Sequence, residues 1–258
     1  MSRPELRFAG VGHAYALKTA IEGIDLVLPA GRILALVGPS GCGKTTLLHL
    51  AAGLLTLRTG SIDNGFRNPA VMFQQPRLLP WKTARDNIAL GLKAAGLPRA
   101  ECERRATDTG SAVGLDVIAL GQFPHALSGG MQSRVALARA LTLEPDLLLM
   151  DEPFSALDIG LKAQLHRLLL EQQARRGLAV LMITHDLMEA VRLAGSVLVM
   201  ASGPGRIAHR VELELPALAR DDAWIHRTTA ELLQDPVVRD CFGLEALPPA
   251  GDPREVRA

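Results

Sequence analysis

Two adjacent carboxylates, Asp151 and Glu152, follow the apolar run LLLM, and His185 ends a second such run, LAVLMITHD. Successive side chains of an extended strand diverge, so the two carboxylates must do different work. Asp151 suits a hard divalent cation held partly through water, and Glu152 suits a base acting on an attacking water. Such a pair needs a polyphosphate to act on, and the chain carries a loop for one. Gly38, Pro39, Ser40, Gly41, Cys42, Gly43, Lys44 and Thr45 read GPSGCGKT, with Thr46 next. This is the pattern GxxxxGK[ST], in which flexible backbone N–H groups wrap phosphates, the lysine reaches the β- and γ-phosphates and the hydroxyl joins a Mg²⁺ shell. A helix after the loop would point its positive end at the same anion. The expected cofactors are ATP and Mg²⁺, with Thr45, Gln74 and Asp151 around the metal.

His185 is placed to donate to the γ-phosphate. Gln74, in VMFQQPRLLPW, either completes the metal shell or holds the water, and Gln75 competes for that place. Cys42 reads as a small filler rather than a redox group. Ser128, Gly129 and Gly130, in ALSGGMQSRVALARAL, open another helix N-terminus suited to an anion. One reading has them bind the ATP held by a second subunit; the other makes Ser128 an ordinary N-cap.

These residues need a scaffold that collects them. Short apolar runs such as RILALV, PDLLLMDEP and GLAVLMITHD suit strands buried on both faces, with helical stretches between them. That alternation predicts an α/β fold, a mainly parallel sheet with flanking helices and ligands at the strand carboxyl ends. Residues 4–35 alternate apolar and polar and predict a small N-terminal antiparallel sheet. Between Gln74 and Leu127 the chain turns helical, as an inserted subdomain of about residues 80–135. The pattern weakens after Pro216: DDAWIHRTTAELLQ has no firm reading and is open between a helix, a packing helper and a regulatory appendage, and LPPAGDPREVRA reads as a frayed tail.

Composition narrows the classes. Across 258 residues, 28 basic and 27 acidic side chains nearly cancel, giving no support for a nucleic-acid partner. The three cysteines are far apart and form neither a metal-ligand spacing nor a disulfide framework, which fits a reduced, cytosolic setting. No apolar run approaches the ~18–20 residues of a membrane span. Any work at a membrane requires other chains to cross it.

Taken together the motifs resemble the ATP-binding subunit of an ABC transporter. GPSGCGKT stands as Walker A, FQQP as the Q-loop, LSGGM as the signature, LLLMDE as Walker B, SALD as the D-loop and THD as the switch histidine. They occur in the family's order across about residues 5–210. The resemblance implies a P-loop NTPase core within an ATP-binding domain of residues 1–216, and leaves 217–258 as an extension without an assigned role. It also implies a sandwich of two such subunits, the second most simply another copy of this chain. Ser128, Gly129 and Gly130 would then act in trans, Ser155 and Asp158 would lie at the dimer interface, and Tyr15 would stack on adenine, with Phe8 as the competing aromatic. It implies membrane-spanning permease subunits, indirectly a solute-binding protein, and a peripheral place on the cytoplasmic face of the membrane.

RLLPW and PGRI are similar to importers for nitrate, sulfonate, taurine and related compounds, in which the segment after the Q-loop faces the membrane subunits. Trp81 there reads equally as a half-buried anchor. Met131, Gln132-Ser133 and Gly195-Ser196 depart from common patterns without removing a catalytic group. The alternatives are an exporter subunit, disfavoured by LLPW, and a soluble ABC-type ATPase acting on DNA or ribosomes. The latter would carry a long coiled coil or a second cassette, and the chain has neither. A small-molecule kinase would lack LSGG and SALD.

Overall fold

The computed structural model describes residues 3–244; the LPPAGDPREVRA tail lies outside the described residues. Strands β1 (Glu5–Tyr15) and β2 (Lys18–Pro29) pair antiparallel, as their alternating pattern predicts. Strand β3 (Ile33–Val37) leaves that sheet and leads through the phosphate loop into helix α1 (Lys44–Ala51). Strand β4 (Thr59–Asn64) then returns to the other edge of β1, a third strand that the sequence reading did not include. Strand β5 (Pro69–Met72) opens the large sheet. The expected helical stretch follows as α2 (Ala84–Ile88), α3 (Leu90–Ala94), α4 (Arg99–Ala112), α5 (Val117–Gly121) and α6 (Gly129–Leu141).

The chain next alternates regularly: β6 (Leu147–Asp151), α7 (Ile159–Arg176), β7 (Ala179–Ile183), α8 (Leu187–Leu193) and β8 (Ser196–Ala201). Strand β9 (Arg206–Glu212) turns back antiparallel on β8. Helices α9 (Asp222–Gln234) and α10 (Pro236–Phe242) close the described chain. The large sheet has the order β5-β6-β7-β3-β8-β9 and is parallel apart from β9.

All five residues of β3, β6 and β7 are buried. Period-2 alternation divides them between two cores. Leu34, Leu36, Leu147, Leu149, Leu181 and Ile183 join Leu6, Phe8, Leu26 and Leu28 of the small sheet and Leu47 and Leu48 of α1. Ile33, Ala35, Leu148, Met150, Val180 and Met182 face a second core, covered by Val135 of α6, Leu165 and Leu169 of α7, and Ala190 and Val191 of α8. Ile225, Leu232 and Val238 belong to that second core too, so the segment after Pro216 packs through α9 and α10 onto the sheet's helical face. Among the described residues no helix is long and apolar enough to cross a membrane.

Candidate functional site

A cleft of ≈ 650 Å³ opens at the carboxyl ends of β3 and β6. The phosphate loop wraps its floor because glycine is sterically required at both ends. Gly38 has φ +151°, and a Cβ there would stand 2.5 Å from the Met200 carbonyl oxygen. Gly43 has φ +96° and abuts the Ile21 side chain. Directly after Gly43, Lys44 folds back over the loop, its Nζ donating to the Gly38 and Pro39 carbonyls at 2.7 and 2.9 Å and lying 3.6 Å from Cys42 Sγ. Ser40, Gly41, Gly43, Lys44, Thr45 and Thr46 line the cleft, whereas Cys42 is fully buried behind it.

The carboxylates enter from the end of β6. Thr45 Oγ1 donates to Asp151 Oδ2 at 2.8 Å. Asp151 is 3 % exposed, and burial pushes its carboxyl above the usual range; the Thr45 bond opposes that shift and the charge of Glu152 adds to it. A hydroxyl beside a buried anion that lacks full counter-charge, with a side-chain amide nearby, is an all-oxygen donor set suited to Mg²⁺, which takes few protein ligands and keeps several waters.

Glu152 has φ +47°, a conformation that costs a non-glycine residue of order 1–3 kcal/mol. It is pinned there: its N–H donates to Ile183 O at 3.0 Å, and its own carbonyl accepts from Ser155 Oγ at 3.1 Å. Its side chain accepts from Gln74 Nε2 at 3.1 Å and lies 3.5 Å from His185 Nδ1. Gln74 lines the cleft, and Gln75 does not. His185 stands beside Glu152 but outside the lining. Tyr15 is half exposed at the cleft mouth, 3.4 Å from Thr46 Oγ1 through its hydroxyl and edge-on to His13. Phe8 is 2 % exposed and lies in the core, which removes it as the stacking aromatic.

Ser128, Gly129 and Gly130 stand outside this cleft. Ser128 caps α6, accepting from Met131 N at 3.2 Å. Gly130 packs on the 155–158 turn, where a Cβ would lie 3.2 Å from Ala156 O. Trp81 is 70 % exposed rather than half buried. Asn87 is fully buried and ties the same turn together, accepting from Leu79 N and donating to the carbonyls of Leu79, Lys82 and Thr83.

Several contributors were not expected. Lys18, Thr19 and Ala20 form one wall of the cleft, and Ser202, Gly203 and Pro204 another. The second wall is fastened by Gly205 N donating to Ala20 O and Glu22 N donating to Gly205 O, at 3.0 and 2.9 Å. Arg139 of α6 reaches back to the Pro76 and Arg77 carbonyls at 2.6 and 3.0 Å, bracing the turn after Gln74. The motif PGRI and the cation at Arg139 are visible in sequence, but their contacts are long-range.

Residues 21–155 match the family model described as ABC transporter. The chain is 41 % identical over 232 residues to the aliphatic sulfonates import ATP-binding protein SsuB of Corynebacterium glutamicum, covering 90 % of this chain and 94 % of the relative. It is 43 % identical over 213 residues to the taurine import ATP-binding protein TauB of Escherichia coli, covering 79 % and 83 %. A dimeric bacterial ABC transporter cassette superposes with a TM-score of 0.76 at 26 % identity, covering 81 % of this chain and 99 % of that one. The post-hydrolysis state of that cassette, bound to ADP and Pi, gives 0.75 at 25 % identity over the same shares.

Proposed function

The chain belongs to the ABC transporter family, and from that premise we propose that it is the ATP-hydrolysing subunit of an importer for sulfonate-, taurine- or nitrate-like anions. It works at the cytoplasmic face of the membrane, on separate permease subunits that a solute-binding protein supplies. The observation that carries this reading is the division of the motifs. The phosphate loop, Gln74, Asp151 and Glu152 share one cleft, while Ser128, Gly129 and Gly130 lie outside its lining, at the capped start of α6.

Tyr15 stacks on adenine at the cleft mouth. Lys44 and the loop N–H groups hold the β- and γ-phosphates. Thr45, Asp151 and Gln74 would hold Mg²⁺, which when bound supplies positive charge against the triphosphate. Glu152 accepts a proton from water, and Gln74 and His185, both beside its carboxylate, orient that water and the γ-phosphate. Ser128, Gly129 and Gly130 of a second copy close over the same phosphate. Loss of the γ-phosphate removes the ligand shared by the two copies, so hydrolysis opens the pair. The exposed surface around Trp81 passes that movement to the permease.

Glu152→Gln tests the centre of this reading. Phosphate release should fall to background while ATP titration still saturates with near-normal affinity. Ordinary turnover in that variant defeats the base assignment.

A further inference from the structure

Helix α7 begins at the end of the turn that carries Glu152, and helix α8 begins directly after His185. The two helices share a buried polar contact: His166 Nε2 of α7 donates to Glu189 Oε1 of α8 at 3.3 Å, with both side chains more than nine-tenths buried. The same imidazole stands edge-on to Phe154, with ring centroids 4.7 Å apart and planes at 77°. Phe154 is fully buried two residues beyond Glu152. Glu189 lies one helical turn beyond His185, and its N–H donates to the capping Asp186 at 3.1 Å. One ring therefore touches both the segment behind Glu152 and the first turn behind His185.

We propose that the His166–Glu189 pair is a positioning link that sets the approach of His185 to Glu152. This rests on the hydrolytic reading above and adds to it a residue pair outside the cleft. Three physical points carry it. First, Glu152 and His185 come from different turns, and their 3.5 Å approach is kept only if those turns hold a fixed separation. Second, each turn is capped onto its own helix, Asp158 accepting from Leu161 N and Asp186 from Glu189 N, so a shift of either helix moves its turn. Third, a buried polar pair gains the fold little over apolar side chains of the same size, because desolvation offsets its attraction. What it does supply is direction. A hydrogen bond tolerates less sliding than an apolar contact, so the helices are held in one register.

The test replaces the link without emptying the core. The double variant His166→Leu/Glu189→Leu keeps volume and leaves no unpaired charge, so it should melt no lower than wild type. Its kcat for Mg-ATP hydrolysis should fall about tenfold, with the KM for ATP within about twofold, the signature of misplaced reacting groups in an intact binding site. His166→Gln, which keeps a donor toward Glu189, should recover most of the rate. A folded double-leucine variant with wild-type kcat overturns the proposal, as does a His166→Gln variant as slow as the double. If the double variant does not fold, His166→Gln alone decides, and a tenfold loss there with an unchanged melting temperature overturns it. Glu152→Gln separates the two levels. Full turnover in that variant defeats the hydrolytic reading, whereas its inactivity beside an unaffected double variant defeats only the link.

Discussion

Lys44 is already bonded before any phosphate is considered, through the Gly38 and Pro39 carbonyls. A triphosphate must offer it a better partner, and charge-assisted bonds to phosphate do so. Lys44→Ala should weaken ATP binding about 10- to 100-fold, the equivalent of ~1.5–3 kcal/mol for a hydrogen bond to a charged group. Titration with Mg-ATP reads this directly, and unchanged affinity would remove Lys44 from the site. Asp151 is the opposite case, a side chain that burial disfavours in its ionised form. Asp151→Asn keeps an acceptor for the Thr45 hydroxyl and removes the buried charge. Without Mg²⁺ and nucleotide this variant should melt higher than wild type, and Mg²⁺-dependent hydrolysis should be lost. A lower melting point would show that the carboxylate is paid back within the fold itself. The place of these two residues in the cleft was legible in sequence because each lies inside a contiguous motif. That of Lys18 and Ser202 was not, since these lie outside those motifs and line the cleft from segments brought together by long-range pairing, among it the bonds of Gly205 to Ala20 and Glu22.

Elements were legible where burial imposes a period. The runs that became β3, β6 and β7 are apolar throughout because both faces are covered. The segment TGSIDN of β4 holds one apolar residue, Ile62, and pairs with β1 by backbone bonds that leave no side-chain pattern to read. The C-terminal segment was legible only as an open choice, a helix among the alternatives, for a different reason. Its buried anchors Ile225, Leu232 and Val238 are separated by polar residues, and Trp224, Leu233, Cys241 and Phe242 pack only half-buried beside them. Their position is fastened by Arg220, whose guanidinium donates to the carbonyls of Val191, Ala194 and Leu215 at 2.6, 2.7 and 2.8 Å and lies over Trp224. Burial lowers its pKa to about 10, which leaves it charged at neutral pH. Two of those carbonyls end α8, the helix that follows His185, so the segment after Pro216 acts as a brace for it. Arg220→Met strands those carbonyls in the core and should cost about 2–4 kcal/mol in urea unfolding. Arg220→Lys, with one ammonium in place of a fork, should recover only part of that. A methionine variant as stable as wild type would mean that α8 needs no such brace.

At the scale of the whole molecule, one chain holds a phosphate cleft and, on a different surface, a serine–diglycine helix start. Gly130 rests on the Ala156 carbonyl, and Ile159, just beyond that turn, is 89 % exposed. The helix start, the 155–158 turn and an uncovered apolar side chain therefore share one edge of the molecule. Two copies set head to tail would bury that edge against each other's clefts and give each triphosphate a second set of donors. A nucleotide shared in this way would make association depend on ATP, and hydrolysis depend on association. Glu152→Gln with Mg-ATP should sediment as a dimer, because it binds without releasing phosphate. Adding Ser128→Arg should hold it monomeric while ATP titration still saturates, since that arginine blocks only the surface offered to the other copy. In the wild-type chain, hydrolysis per subunit should drop on dilution, and its ATP dependence should be cooperative, with a Hill coefficient rising toward about 2 for two coupled sites. Specific activity independent of dilution, or a Ser128→Arg chain that pairs and turns over normally, would mean that each cleft is complete within its own subunit. The separation of the two motifs would then be a feature of the fold with no part in catalysis.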